Sequence, residues 1–198
     1  MDTIYFSGIG SRKTPPEVAE QQRKIARALA TFGLILRSGG ADGSDTNFEE
    51  GYTDVSGKME IWLPWSGFNK RQGDKYLPQP KHFALAETLH PAWDYLKRGP
   101  RALHARNTGQ VLGMNLMTPV AFVLCWTPDG AQTEKEVTKD TGGTGTAIKL
   151  ANRMGIPVIN MFHPDWKERL IAVLGTLKLT IGSQSFAFQE NDTIVVEQ

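Results

Sequence analysis

Short apolar runs alternate along this chain with segments whose apolar residues return every three or four positions. Ile4-Tyr-Phe-Ser-Gly8 reads as a first strand ending in glycine. Pro15 and Pro16 then open a helical pattern to about Thr31, with Thr14 as its expected N-cap, because proline is tolerated in a first helical turn. Within it Val18, Ile25, Ala28, Leu29 and Phe32 define one buried face, and Gly33 stops the helix. Leu34–Arg37 and Met59–Leu63 predict further short strands, with a helix from Asp45 to about Asp54 between them. Val120–Trp126 is almost wholly apolar, as the middle strand of a parallel sheet must be when both its faces are covered. Thr127-Pro-Asp-Gly130 is a turn signature, and residues 131–141 are polar and read as a mobile loop. A helix over Thr144–Met154, a strand over Ile156–Met161 and a helix over Asp165–Leu174 complete the pattern, and Thr193–Val196 suggests a short edge strand.

Strands that alternate with helices imply an α/β fold: an open parallel sheet, right-handed crossovers and helices on both faces. The chain of 198 residues fits one domain, with its core over about residues 3–161 and a helix and tail over about 164–198. One stretch breaks the rhythm. Residues 64–82 hold Pro64, Gly67, Gly73, Pro78 and Pro80 and predict an excursion or flap. Short helices are expected near Phe83–Leu89 and Ala92–Leu96, then a longer one from Gly99-Pro100 to about Leu112.

Composition removes several classes of function. A formal net charge of +1 and an apolar share of 40% argue against disorder and against a cationic nucleic-acid coat. No apolar run approaches the ~20 residues of a membrane helix. The N-terminus lacks the pattern of a signal peptide, and the single cysteine, Cys125, lies inside an apolar run, so a cytoplasmic protein with a reduced structural thiol is expected. Charge is uneven, however. Residues 42–60 carry six acids and one base, whereas residues 67–106 carry eight bases and three acids, with His82, His90 and His104 among them. The basic stretch is either an anion-attracting surface or an ordinary solvated one. The four histidines and one cysteine show no metal-ligand spacing, and no cofactor is expected.

Of 20 glycines, eight fall in three tight clusters: Gly8 and Gly10; Gly39, Gly40 and Gly43; Gly142, Gly143 and Gly145. Each follows a predicted strand or precedes a helix. In open parallel sheets ligands bind beyond the carboxyl ends of the strands. There, glycine admits tight turns and close backbone approach to an anion, and a following helix adds partial positive charge. The familiar nucleotide motifs do not fit. Lys13 occupies the last glycine's place in Gly8-Ile-Gly-Ser-Arg-Lys13, and the run Gly142-Gly-Thr-Gly-Thr146 lacks a Walker lysine, which disfavours a P-loop kinase or ATPase.

Taken together, Gly8-Ile-Gly-Ser-Arg12, Ser38-Gly-Gly-Ala-Asp-Gly-Ser-Asp45, Arg106-Asn107 ahead of an apolar strand, and Gly142-Gly-Thr-Gly-Thr146 resemble the SLOG superfamily, the group of lonely-guy phosphoribohydrolases and DprA. The resemblance covers roughly residues 3–161 and implies a Rossmann-like fold that binds nucleotides or nucleotide-derived ligands at these loops. Gly142, Gly143, Thr144, Gly145 and Thr146 would hold a phosphate, with Thr144 also readable as a helix cap. Ser38, Gly39, Gly40 and Asp45 form a second loop, in which Asp45 either accepts from a ribose hydroxyl or caps the next helix. Gly8, Gly10, Ser11 and Arg12 form the first, with Arg12 placed to clamp a phosphate or to lie on the surface. Arg106 matches the arginine of the lonely-guy Arg-Lys motif, with Asn107 in place of the lysine. Trp126 flanks a base or packs on the sheet, and Trp62 and Trp65 flank the excursion.

One departure bears on chemistry. Lonely-guy enzymes use P-G-G-x-G-T-x-x-E, whereas here Thr141 replaces the proline and Lys149 the glutamate. A cation cannot stabilise an oxocarbenium-like transition state as a carboxylate does, so whether the chain is an enzyme stays open at this point. A carboxylate from elsewhere, Glu49, Glu50 or Glu134, could substitute, and nothing in the sequence points to one. The leading expectation is a protein that binds a nucleotide or nucleotide-derived signal. The alternatives are a nucleotide N-glycosidase or ribosyl transferase, and a DprA-like single-stranded DNA binder supported by the basic 67–106 stretch with Trp93 and Tyr95. Near-neutral charge disfavours nucleic acid as the partner, no membrane partner is expected, and self-association, common in the superfamily, gives a homo-oligomer as an open option.

Overall fold

The computed structural model describes residues 3–177 and 185–197. Five parallel strands form one sheet: β1 (Tyr5–Gly10), β2 (Ile35–Ser38), β3 (Met59–Ile61), β4 (Phe122–Trp126) and β5 (Val158–Asn160). Their order is β3-β2-β1-β4-β5, so the chain winds outward from β1 in one direction and then returns to β4 on its other side. This single-domain α/β arrangement is Rossmann-like, and the point where the winding reverses lies between β1 and β4.

Alternation along the strands builds two cores. Phe6, Leu36, Phe122, Leu124 and Trp126 point to one face, where α1 (Pro16–Thr31), α2 (Ser44–Thr53) and α6 (Trp166–Thr176) cover them. Ile9, Val123, Cys125 and Val158 point to the other, against α4 (Arg98–Leu112) and α5 (Thr144–Arg153). Helix α3 (Pro80–Glu87) packs outside α4 through Ala86, Trp93 and Ala105. Helices therefore lie on both faces, as the alternating pattern requires. Cys125 is wholly buried in the second core, and burial pushes its thiol up to about 12.

Several local expectations are corrected. Thr14 does not cap α1, because Pro15 takes the position before Pro16 and has no side chain able to cap. Thr14 instead donates to the Ser11 carbonyl at 2.7 Å and meets Ser44 Oγ at 2.8 Å, tying the first loop to α2. Thr144 is the first residue of α5 and makes no cap through its side chain. Ile194–Glu197 (β7) does not extend the main sheet. It pairs antiparallel with β6 (Ser185–Phe188) in a separate hairpin, where Phe186 meets Phe32 and Phe188 meets Trp166 over the first core. Residues 131–141 are pinned: Asn152 holds the Glu134 amide and the Gln132 carbonyl, and Asp129 accepts from Thr138 and Thr141. No helix among the described residues is long and apolar enough to cross a membrane.

Candidate functional site

At the carboxyl end of β1 the Ser11 amide donates to the Trp126 carbonyl at 2.9 Å, which zips the first loop to the end of β4. Above this seam opens a cavity of about 450 Å³. Four segments enclose it: Ile9–Lys13, Ala41–Asp45, one side of α4, and Lys139–Thr144. Leu103, Arg106, Asn107 and Gln110 supply the α4 side, and their spacing of three and four residues makes them one helical stripe. The excursion closes the remaining wall with Phe68 and Asn69.

A charged pair crosses the floor. Arg106 Nη1 lies 3.2 Å from Asp45 Oδ2, with both side chains almost fully buried. Burial raises the Asp45 carboxyl above its ordinary value even though the Arg106 guanidinium pulls it down. Room for the pair comes from Gly39, where a methyl group would stand 1.5 Å from Arg106 Nη1 and 2.7 Å from Asp45 Oδ2. This glycine is needed for a neighbouring side chain. Asp45 also accepts from the Ala41 amide at 3.4 Å, which shapes the second loop, and it does not cap α2.

Behind that loop sits Glu49, 4% exposed. It accepts from the Gly40 amide at 2.9 Å and pairs with Arg71 of the excursion. Burial pushes its carboxyl up to about 7, against the downward pull of Arg71. Asn69 donates to the Gly40 carbonyl at 3.0 Å, so the excursion is docked both on the second loop and, through Arg71, on α2. The acidic 42–60 and basic 67–106 segments thus neutralise each other locally, through Glu49 with Arg71 and Asp45 with Arg106.

The third loop is built differently. Asp129 accepts from Thr138 at 2.6 Å and from Thr141. Burial raises its carboxyl, but the hydrogen bonds from Thr138, Thr141 and Thr127 outweigh that and hold it at about 2. Asn107 Nδ2 donates to the Gly143 carbonyl at 2.7 Å, fixing the loop to α4. The amides of Gly145 and Thr146 turn back onto the carbonyls of Gly142 and Gly143. Among the described residues, that leaves the amides of Gly143 and Thr144 as the open donors of the α5 start. Gly142 needs its positive φ of 63°. Gly143 does not, and a methyl there would touch nothing among the described residues.

Of the residues singled out from the sequence, Gly10, Ser11, Arg12, Asp45, Arg106, Gly142, Gly143 and Thr144 line this one cavity. Gly8 lies beneath it, where a methyl would strike Leu36 and Phe48. Ser38, Gly39 and Gly40 form its supporting layer. Gly145 and Thr146 point into packing, with Thr146 Oγ1 2.6 Å from His104 Nδ1. Trp126 packs in the first core, Trp62 is buried beside Tyr76 and His82, and Trp65 stands out against Phe68, so none of the three lines the cavity. Lys149 donates to the Leu89 carbonyl, away from the cavity. The sequence reading missed Leu103, Gln110 and Asn69, although the 103/106/107/110 spacing was open to view. Among the described residues no group of three or more His, Cys, Asp or Glu is gathered as a metal would need.

No protein-family model and no curated relative matches this sequence. Two solved structures are similar in shape. DNA processing protein A (DprA) from Streptococcus pneumoniae aligns with 17% identity and a TM-score of 0.47, over 80% of this chain and 50% of that one. DNA processing protein A from Helicobacter pylori, described for its single-stranded DNA binding mode, aligns with 14% identity and a TM-score of 0.39, over 86% of this chain and 80% of that one. The chain spans about half the length of the Streptococcus pneumoniae protein.

Proposed function

We propose that this chain binds a nucleotide or nucleotide-derived ligand in the cavity at the β1–β4 reversal, with its phosphate on the start of α5. The reading rests on the convergence of the three glycine loops and the α4 stripe on one concavity of about 450 Å³, within the range of small-ligand sites. Arg12, Lys13 and Lys139 are exposed at its rim and Arg106 is buried at its floor, a gradient that draws an anionic group to the mouth. Gly143 supports the phosphate placement. Neither backbone conformation nor protein packing calls for glycine there, whereas an oxygen approaching the Gly143 and Thr144 amides does. Asp42 and Asp140, also on the lining, restrict how much negative charge the mouth tolerates. Calorimetric titration with nucleoside mono- and diphosphates, ADP-ribose and cyclic nucleotides tests the reading. Micromolar binding of at least one supports it, and no heat with any of them sinks it.

N-glycosidic cleavage has less behind it. Lys149 holds the place of the lonely-guy glutamate, and the alternative carboxylates are engaged: Glu49 with Arg71, Glu50 with Arg23 and Glu134 with Arg153. The single-stranded DNA reading has one observation in its favour. Trp65, 43% exposed, meets Phe68 of the cavity wall edge-on and approaches Gly99 near the start of α4, with Lys70, Lys97 and Arg98 exposed on the neighbouring segments. Aromatic rings among bases are what a stacked strand requires. Gel shifts on oligonucleotides across a salt series separate this from mononucleotide binding, and it fails if no complex forms at low salt.

A further inference from the structure

The α4 stripe contains a side chain that the phosphate reading does not use. Gln110 is fully buried and lines the cavity, yet neither its Nε2 nor its Oε1 has a hydrogen-bond partner among the described residues. Its backbone carbonyl is occupied by Ser7 Oγ at 2.7 Å, which fixes this turn of α4 against β1 and leaves the carboxamide itself free. One turn earlier on the same stripe, Arg106 Nε is likewise buried and unpartnered. Buried polar atoms without partners are rare, because each forfeits its bonds to water with nothing in exchange. A carboxamide whose two polar atoms are buried without partners, in a residue that lines a cavity, therefore marks a place where a ligand supplies the partners.

The chemistry of that partner follows. A carboxamide offers one donor and one acceptor side by side in a plane. Its complement is a planar group that presents an adjacent acceptor and donor, as the edge of a nucleobase does; the glutamine–adenine pair in nucleic-acid recognition uses this match. Ile9, Leu103, Phe68 and Pro128 also line the cavity and give it apolar walls for the faces of such a ring. The exposed glycines, Arg12 and Lys139 are at the mouth, and Gln110 is at the buried end.

We propose that Gln110 reads the hydrogen-bonding edge of a nucleobase, so that the ligand sits base inward with its phosphate toward the start of α5. This rests on the nucleotide reading of the cavity and adds which end of the ligand enters first. It makes Gln110 a specificity-determining residue, whereas Gly142–Thr144 hold what all nucleotides share.

The test uses the full chain, AMP, GMP, CMP and UMP, and ribose 5-phosphate as the base-free probe, with affinities from calorimetry. At least one nucleotide should bind the wild type roughly ten- to a hundred-fold more tightly than ribose 5-phosphate. Gln110→Met fills the same space without polar atoms. It should bring that nucleotide down to the level of ribose 5-phosphate and leave ribose 5-phosphate itself unchanged. Gln110→Glu keeps the shape but loses the donor, and should weaken the preferred nucleotide as well; it decides the matter if Gln110→Met does not fold. Undiminished nucleotide affinity in the folded variants overturns the proposal. Equal affinity of the wild type for ribose 5-phosphate and every nucleotide also overturns it, and leaves the phosphate site standing. If the wild type binds none of the five probes and none of the diphosphates, ADP-ribose or cyclic nucleotides of the earlier titration, the nucleotide reading has failed and the base reading falls with it.

Discussion

Replacing Gly39 with alanine puts a methyl group where the Arg106 guanidinium now lies. The added carbon would be 1.5 Å from Nη1 and 2.4 Å from Cζ, far inside any tolerated contact. Arg106 is the movable partner, because Gly39 follows β2 and is buried within the sheet's carboxyl edge. Once displaced, the guanidinium leaves Asp45, now 3.2 Å away, without its counter-charge in a nearly dry setting. Breaking one side of a buried pair costs about 3–5 kcal/mol. At about 2–4 °C per kcal/mol for a chain of this size, the midpoint of thermal unfolding should fall by roughly 6–20 °C. Urea unfolding followed by far-ultraviolet circular dichroism gives the free energy directly, with an unchanged slope showing that the same surface is exposed. The attribution to Arg106 is checked in the Arg106→Met background. There the guanidinium is gone, Asp45 Oδ2 at 2.7 Å is the near atom that still has to shift, and Gly39→Ala should cost about 2 kcal/mol less than in the wild-type background. A Gly39→Ala cost below about 1 kcal/mol in the wild-type background, or an equal cost in both backgrounds, would refute the reasoning.

Two further outcomes separate packing from ligand contact and place a titration. Gly143→Ala should change stability by no more than about 1 kcal/mol, since its φ of −61° suits alanine and none of the described residues lies near the new carbon. In calorimetry the same variant should nonetheless lose roughly ten-fold or more in affinity for any phosphorylated ligand the wild type binds, and an unaltered affinity would show that no phosphate approaches that amide. Glu49 has its carboxyl raised from 4.5 to about 7, so the folded state holds this proton more tightly than the unfolded state. Its stabilising contribution is complete below about pH 4.5 and is lost as pH rises to about 7, by on the order of 3 kcal/mol. Urea titrations of wild type and Glu49→Gln across pH 4–8 should therefore differ in slope over that window, and parallel curves would contradict the placement.

The periodicity of apolar positions carries the fold a long way here. The near-continuous run Val120–Trp126 reads as an interior strand; β4 takes up its last five residues between β1 and β5, and both of its faces are covered. The glycine clusters also converge on one edge of the sheet, around one cavity. What they cannot convey is why each glycine is there. Gly8 answers to Leu36 and Phe48, Gly39 to Arg106, and Gly143 to nothing among the described residues. These reasons belong to atoms brought from elsewhere in the chain, and a local pattern holds no record of them. The same limit hides the pairing of Glu49 with Arg71: one residue lies in an acidic stretch and the other in a basic one, and only the fold sets them face to face. Thr14 shows the limit at short range. Its place before two prolines reads as a cap, yet Ser11 and Ser44 offer it better partners in the folded chain.

The order β3-β2-β1-β4-β5 has a consequence during synthesis. Strand β1 is central, but its neighbour β4 is encoded more than a hundred residues later, with Phe6 waiting for Phe122. At roughly 5–20 residues per second the emerging chain leaves one side of β1 unpaired for about 5–20 s. During that interval β1, β2 and α1 can assemble, while the unpaired rim of β1 stays open to any strand that passes. The cavity is built on that same rim, where Ser11 meets the end of β4. It therefore has to form late, and a nascent chain truncated before residue 122 would carry the first two glycine loops as an adhesive edge with no pocket between them.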